Sequence, residues 1–81
     1  MKHKLYTDMS LGLDLPAQNL RHSDVVKLVD HHVAPDGQEG YSVEVLNALG
    51  DTVAVTVVPE SALRPLTAED VLSVRPLAAT R

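Results

Sequence analysis

Two runs of alternating residues face each other across a glycine-bearing turn, and they set the pattern of the chain. In residues 41–47, Tyr41, Val43 and Val45 alternate with Ser42 and Glu44. In residues 52–58, Val53, Val55 and Val57 alternate with Thr52, Ala54 and Thr56. Successive side chains of a strand point to opposite faces, so each run predicts a strand with one apolar face. Between them, Ala48-Leu49-Gly50-Asp51 places glycine where a hairpin loop needs a positive φ. The pattern predicts an antiparallel hairpin with Val43, Val45, Val53, Val55 and Val57 buried together, in a register fixed by that burial.

The rest of the chain arranges itself around this hairpin. Residues 4–11 suit a first strand, ended by Gly12. Pro16 keeps Leu15 out of the helical region, and residues 17–22 hold a loop or a single helical turn. In residues 24–33, Val25, Val29 and Val33 fit a helical stripe as well as a strand. The adjacent Val25-Val26 and the Ala34-Pro35-Asp36-Gly37 turn favour the strand. Pro59 lacks the N–H that a ladder needs, so the hairpin ends there. Residues 60–62 then make one tight turn before a closing strand over Leu63-Arg64-Pro65-Leu66. Thr67 caps a short helix over residues 68–73, with Asp70 at the third position of a weak capping box. The expected class is mainly β: a small five-stranded SH3-like barrel over residues 1–66, followed by a helical or extended C-terminal tail over residues 67–81.

Composition narrows this picture. Eighty-one residues make one domain with a small core. Valine and leucine carry nearly all of its apolar content, with no Ile, Phe, Trp or Cys, and Tyr6 and Tyr41 are the only Phe, Tyr or Trp side chains. Such a core is thin, and oligomerisation is a common supplement at this size. The lack of cysteine excludes disulfides, thiolate metal sites and thiol catalysis. The basic start Met1-Lys2-His3-Lys4 is not followed by an apolar run, because Asp8, Asp14 and Asn19 interrupt it, and no stretch is long enough to span a bilayer. The expectation is a soluble cytoplasmic protein with no membrane partner. A net charge of −4 with scattered Lys and Arg argues against a nucleic-acid partner.

Several short pieces occur in an order that resembles a known family. They are Leu5-Tyr6-Thr7-Asp8, Asp14-Leu15-Pro16, Leu20-Arg21, Asp24, Tyr41-Ser42-Val43-Glu44-Val45, Gly50-Asp51-Thr52 and Leu63-Arg64-Pro65-Leu66. The chain is similar in these to the small bacterial family of domain of unknown function 4926, over roughly residues 4–66. Where that family has glycines around the second strand, Ser23 and Val26 stand here, and Val45 replaces an aromatic. The resemblance implies a fold and brings no catalytic residues with it.

The polar residues offer little chemistry. His31 and His32 are neighbours on a strand and so point to opposite faces, which prevents both from binding one metal. Met1-Lys2-His3 has the pattern of an amino-terminal Cu(II) or Ni(II) site if the amine is free. His22-Ser23-Asp24 holds the three residue types of a hydrolase triad, but sequence neighbours cannot converge as a triad must. Two tyrosines cannot build a proline-peptide groove, a methyl-lysine cage or a base-stacking platform.

The expected function is therefore a non-enzymatic module, without cofactor or metal, that acts by contact with another protein. An antitoxin-like or immunity-like partner is one form of it, and a homodimer is expected. The candidate contact residues are Val71, Leu72, Val74 and Leu77, apolar positions in a tail that would otherwise hang in water. The alternatives are a nucleic-acid-associated regulator and a metal or small-molecule sensor working through the histidines.

Overall fold

A computed structural model describes residues 2–76. Five strands run in the order β1 (Asp8–Leu11), β2 (Val25–Val33), β3 (Glu39–Leu46), β4 (Thr52–Pro59) and β5 (Leu63–Pro65). They form one antiparallel sheet with spatial order β4-β3-β2-β1-β5. The class is all-β, as expected. No ladder joins β4 to β5 among the described residues, so the expected barrel is an open, curled sheet.

The curl has a simple cause. Strands β4 and β5 lie at opposite edges, yet only the 3-10 turn Glu60–Ala62 separates them. A flat sheet of five strands would hold its edges about 19 Å apart at about 4.8 Å per step. The chain from Pro59 to Leu63 reaches at most about 14 Å. The sheet must therefore wrap, and it wraps around a core of Met9, Leu11, Leu20, Val26, Leu28, Tyr41, Val43, Val45, Val58, Ala62 and Leu63. A backbone hydrogen bond from Gly12 N–H to the Ala62 carbonyl (2.8 Å) ties the turn to the end of β1.

The segment left open by periodicity, residues 24–33, is strand β2, and the turn after it puts Gly37 at φ 89°. The first strand begins later than expected. Residues 4–7 form a turn in which the Thr7 hydroxyl donates to the Lys4 carbonyl (2.6 Å) and Tyr6 takes φ 65°. The loop ahead of β2 contains a 3-10 turn at Pro16–Gln18.

The largest correction concerns β4. Its outward residues are the valines, with Val53 41%, Val55 62% and Val57 57% exposed, while Ala54, Thr56 and Val58 face the core side. The hairpin leaves its loop with Leu46 paired to Thr52, and continuing that register would set Val45 against Val53, Val43 against Val55 and Tyr41 against Val57. Instead a bulge falls between Val45 and Leu46, and the pairs become Val45–Ala54, Val43–Thr56 and Tyr41–Val58. One extra residue on one strand turns every later side chain to the other face. The outward turn of the β4 valines follows from that single residue.

Candidate functional site

Three surfaces are candidates: the outer face of β4, the groove beside the tail, and the histidines. On the outer face, register places Val55, Glu44, Lys27 and Asp8 in one row across four strands. Lys27 Nζ lies 4.0 Å from Asp8 Oδ1, so the middle of this face is polar and charged. Its apolar residues include the exposed stripe of β4, an edge strand whose residues 52–58 carry no charge. Natural edge strands are commonly protected by lysine, proline or a covering element. On β4 the only proline is the terminal Pro59.

The groove adjoins this face at Val53. It has a volume of about 620 Å³ and runs between the β3–β4 hairpin end, the loop before β2 and the tail. Val25, Val45, Leu46 and Val53 supply apolar lining, and Leu72 and Val74 come from the tail.

The tail is extended, not helical. The capping chemistry expected of Thr67 and Asp70 is present, but it closes a single turn: Asp70 Oδ2 accepts from the Thr67 N–H (2.6 Å) and hydroxyl (3.1 Å). The Glu69 N–H in turn donates to Thr67 Oγ1 (3.2 Å). The Thr67 N–H chiefly holds the Asp70 carboxyl below its ordinary pKa, with the Thr67 hydroxyl and Arg64 adding to it against burial. After this turn Val71, Leu72 and Val74 are exposed, and Leu77 lies outside the described residues.

Arg75 then fixes the tail to its own domain. Its Nε–H donates to Asp24 Oδ1 (3.0 Å) and an Nη2–H donates to Asp24 Oδ2, a two-pronged ion pair spanning 51 positions of sequence. Nη2 also donates to the Asn19 carbonyl (3.1 Å). Asp24 Oδ2 accepts the Arg21 N–H as well (2.8 Å). Burial pushes the Asp24 carboxyl up, but the hydrogen bonds from Arg75 and Arg21 and their two positive charges outweigh it and hold it below its ordinary value. The same pairing raises Arg75.

With Asp24 so engaged, His22-Ser23-Asp24 is not a triad. Ser23 Oγ lies 2.9 Å from His22 Nδ1, but the carboxylate faces Arg75, and Asp14 takes the His22 main-chain N–H. Ser23 sits at φ 77°, and the Asp24 N–H closes the turn onto the Arg21 carbonyl (3.0 Å). The tight bend is therefore made without glycine.

His31 and His32 point to opposite faces, as their spacing predicts. His31 Nε2 lies 2.7 Å from Glu39 Oε1 and its ring packs on buried Tyr41 with centroids 5.0 Å apart. His32 Nε2 reaches Ser42 Oγ at 2.6 Å on the outer face. His3 also lies near Tyr41, at 5.6 Å between ring centroids, and its main-chain N–H donates to Tyr41 Oη (2.9 Å). Square-planar metal binding at Met1-Lys2-His3 would need that same amide nitrogen, so it competes with this docking. Among the described residues no three His, Cys, Asp or Glu side chains gather as metal ligands.

The model of a known family, described as Domain of unknown function (DUF4926), matches residues 5–65. The chain belongs to that family. The DUF4926 span takes in all five strands and Asp24, and it ends before Thr67 and Arg75. No curated protein and no solved structure matches the chain. No helix among the described residues is long and apolar enough to cross a membrane. The sequence did not signal the Arg75–Asp24 pair, because nothing in a pattern of short periods links residues so far apart.

Proposed function

We propose that this DUF4926 chain is a non-enzymatic protein–protein interaction module whose first partner is a second copy of itself, paired through β4. The observation that carries the reading is the outward valine stripe Val53, Val55 and Val57 on an uncharged edge strand. A strand edge offers unpaired N–H and C=O groups, and an antiparallel copy related by a twofold axis satisfies them symmetrically. With Val55 on the axis, Val53 of each copy lies across from Val57 of the other, so valine meets valine along the whole stripe. Residues 52–58 bring no charge to this contact, although the chain as a whole carries −4. The thin Val and Leu core gives the same copy-to-copy burial a stabilising role.

Val71, Leu72 and Val74 form a second exposed apolar patch, available to a different protein. The finer form of the proposal is that the chain acts through this surface as an antitoxin-like or immunity-like partner that covers another small protein.

Backbone hydrogen exchange tests the pairing. The outward amides of β4 should become protected as protein concentration rises, while those of residues 67–76 should not change. Exchange of the β4 amides that is independent of concentration would refute self-pairing. Protection that appears only when a heterologous protein is added would move the proposal to that partner.

A further inference from the structure

The tail joins three separate contacts into one device. The turn held by Thr67 and Asp70 fixes where it starts, aided by Arg64 Nη2 donating to Asp70 Oδ1 (3.4 Å). Residues 71–74 then run beside β2 without a backbone hydrogen bond of their own to the sheet among the described residues. Arg75 closes the far end on Asp24 and Asn19. A segment held at both ends and slack between them behaves as a strap.

What the strap covers is also defined. Val25, half-buried, lines both the large groove and a smaller neighbouring cavity of about 60 Å³, and Leu72 and Ser73 wall both of them. Val25 is directed away from the core, since its neighbour Val26 is the buried one. The tail thus lies beside an apolar position on the outer side of β2.

We infer that residues 67–76 form a latch, with the Thr67–Asp70 turn as hinge and the Arg75–Asp24 pair as buckle, which opens as a unit to uncover Val25 and the groove floor. Asp24 suits the part. It sits in the strained bend beside Ser23, its carboxylate is aimed by the Arg21 N–H, and it belongs to the DUF4926 span while Arg75 does not. An extension outside the family span is in this way docked onto a residue inside it. Partly exposed ion pairs are modest in strength, so the buckle is strong enough to bias the tail and weak enough to release it. The inference does not depend on self-pairing through β4, although Val53 belongs to both surfaces.

A chain without cysteine allows a clean test by single-thiol labelling. Val25→Cys reports the strap, and Val26→Cys, one residue on and facing the core, reports opening of the whole fold. Arg75→Ala removes the buckle, and Asp24→Asn removes its charge while keeping an acceptor for the Arg21 N–H. Each should speed labelling at Val25→Cys by about tenfold, the order of one charge-assisted hydrogen-bonded pair, and leave Val26→Cys unchanged. Labelling at Val25→Cys that stays unchanged in both backgrounds would overturn the latch. So would a parallel rise at both cysteines in both backgrounds, which would make the pair a support of the whole fold.

Discussion

Val43 stands directly opposite Thr56, and the valine next to Thr56 on either side points the other way. The bulge between Val45 and Leu46 produces this offset, and it divides the valines of the hairpin into a buried set and an exposed set. The two sets have different physical roles. Val43 belongs to the core with Leu28 beside it in register, whereas Val55 lies beside Glu44 on the outer face.

Their substitutions should separate accordingly. Val43→Ala removes two buried methyl groups and leaves a cavity, so it should cost about 2 kcal/mol in urea denaturation. Val55→Thr, at an exposed site that suits β-branched residues, should stay within about 0.5 kcal/mol of the parent. Equal losses at the two positions would mean that the register lacks the bulge.

Ser23 holds a left-handed backbone at φ 77°. For a residue with a Cβ that conformation costs roughly 1–2 kcal/mol, and glycine removes the cost while loosening the unfolded chain by part of that amount. Ser23→Gly should therefore raise stability by about 0.5–1 kcal/mol. A loss of stability would show that the Ser23–His22 hydrogen bond outweighs the strain.

The hairpin, the β2 strand and the tight turn at residues 60–62 were legible in the sequence because each is a local pattern. The face of β4 was not. Its alternation ends in Val57-Val58, so either parity presents apolar residues, and a bulge of one residue decides between them. The clue lies in Pro59 and the turn behind it: a strand that feeds a tight corner of a curled sheet must send its last apolar residue, Val58, inward. The tail was legible as apolar and as separate from the domain, and Thr67 with Asp70 was legible as a cap. The cap closes only one turn, and the Arg75–Asp24 contact beyond it leaves no periodic trace.

Gly40 has a different constraint from the turn glycines. A Cβ built there would lie 2.9 Å from the Val58 carbonyl oxygen, a backbone atom that cannot move aside cheaply. Gly40→Ala should destabilise the fold by roughly 1–3 kcal/mol, as overpacking does. The melting temperature should fall without loss of the strand signal in circular dichroism, and an unchanged melting temperature would contradict the close approach.

The Asp24–Arg75 pair predicts a pH dependence with a definite sign. The folded state holds Asp24 below its ordinary value of 3.8, so the folded protein releases this proton more readily than the unfolded chain does. The stabilisation is complete above that ordinary value and disappears as pH falls through the lower folded one. In a carbon-detected titration, Arg75→Ala should move the Asp24 midpoint upward. A midpoint that does not move would show that Arg21 alone sets it.

Sedimentation equilibrium on the full chain and on Val55→Lys tests the central claim, association through β4, most directly. A lysine on the twofold axis sets two like charges against each other and restores the protection that natural edges carry. The parent should be dimeric at high micromolar concentration and associate more tightly as salt screens its net charge, while Val55→Lys should be a folded monomer. A parent that stays monomeric, or a Val55→Lys variant that dimerises as the parent does, would contradict the account.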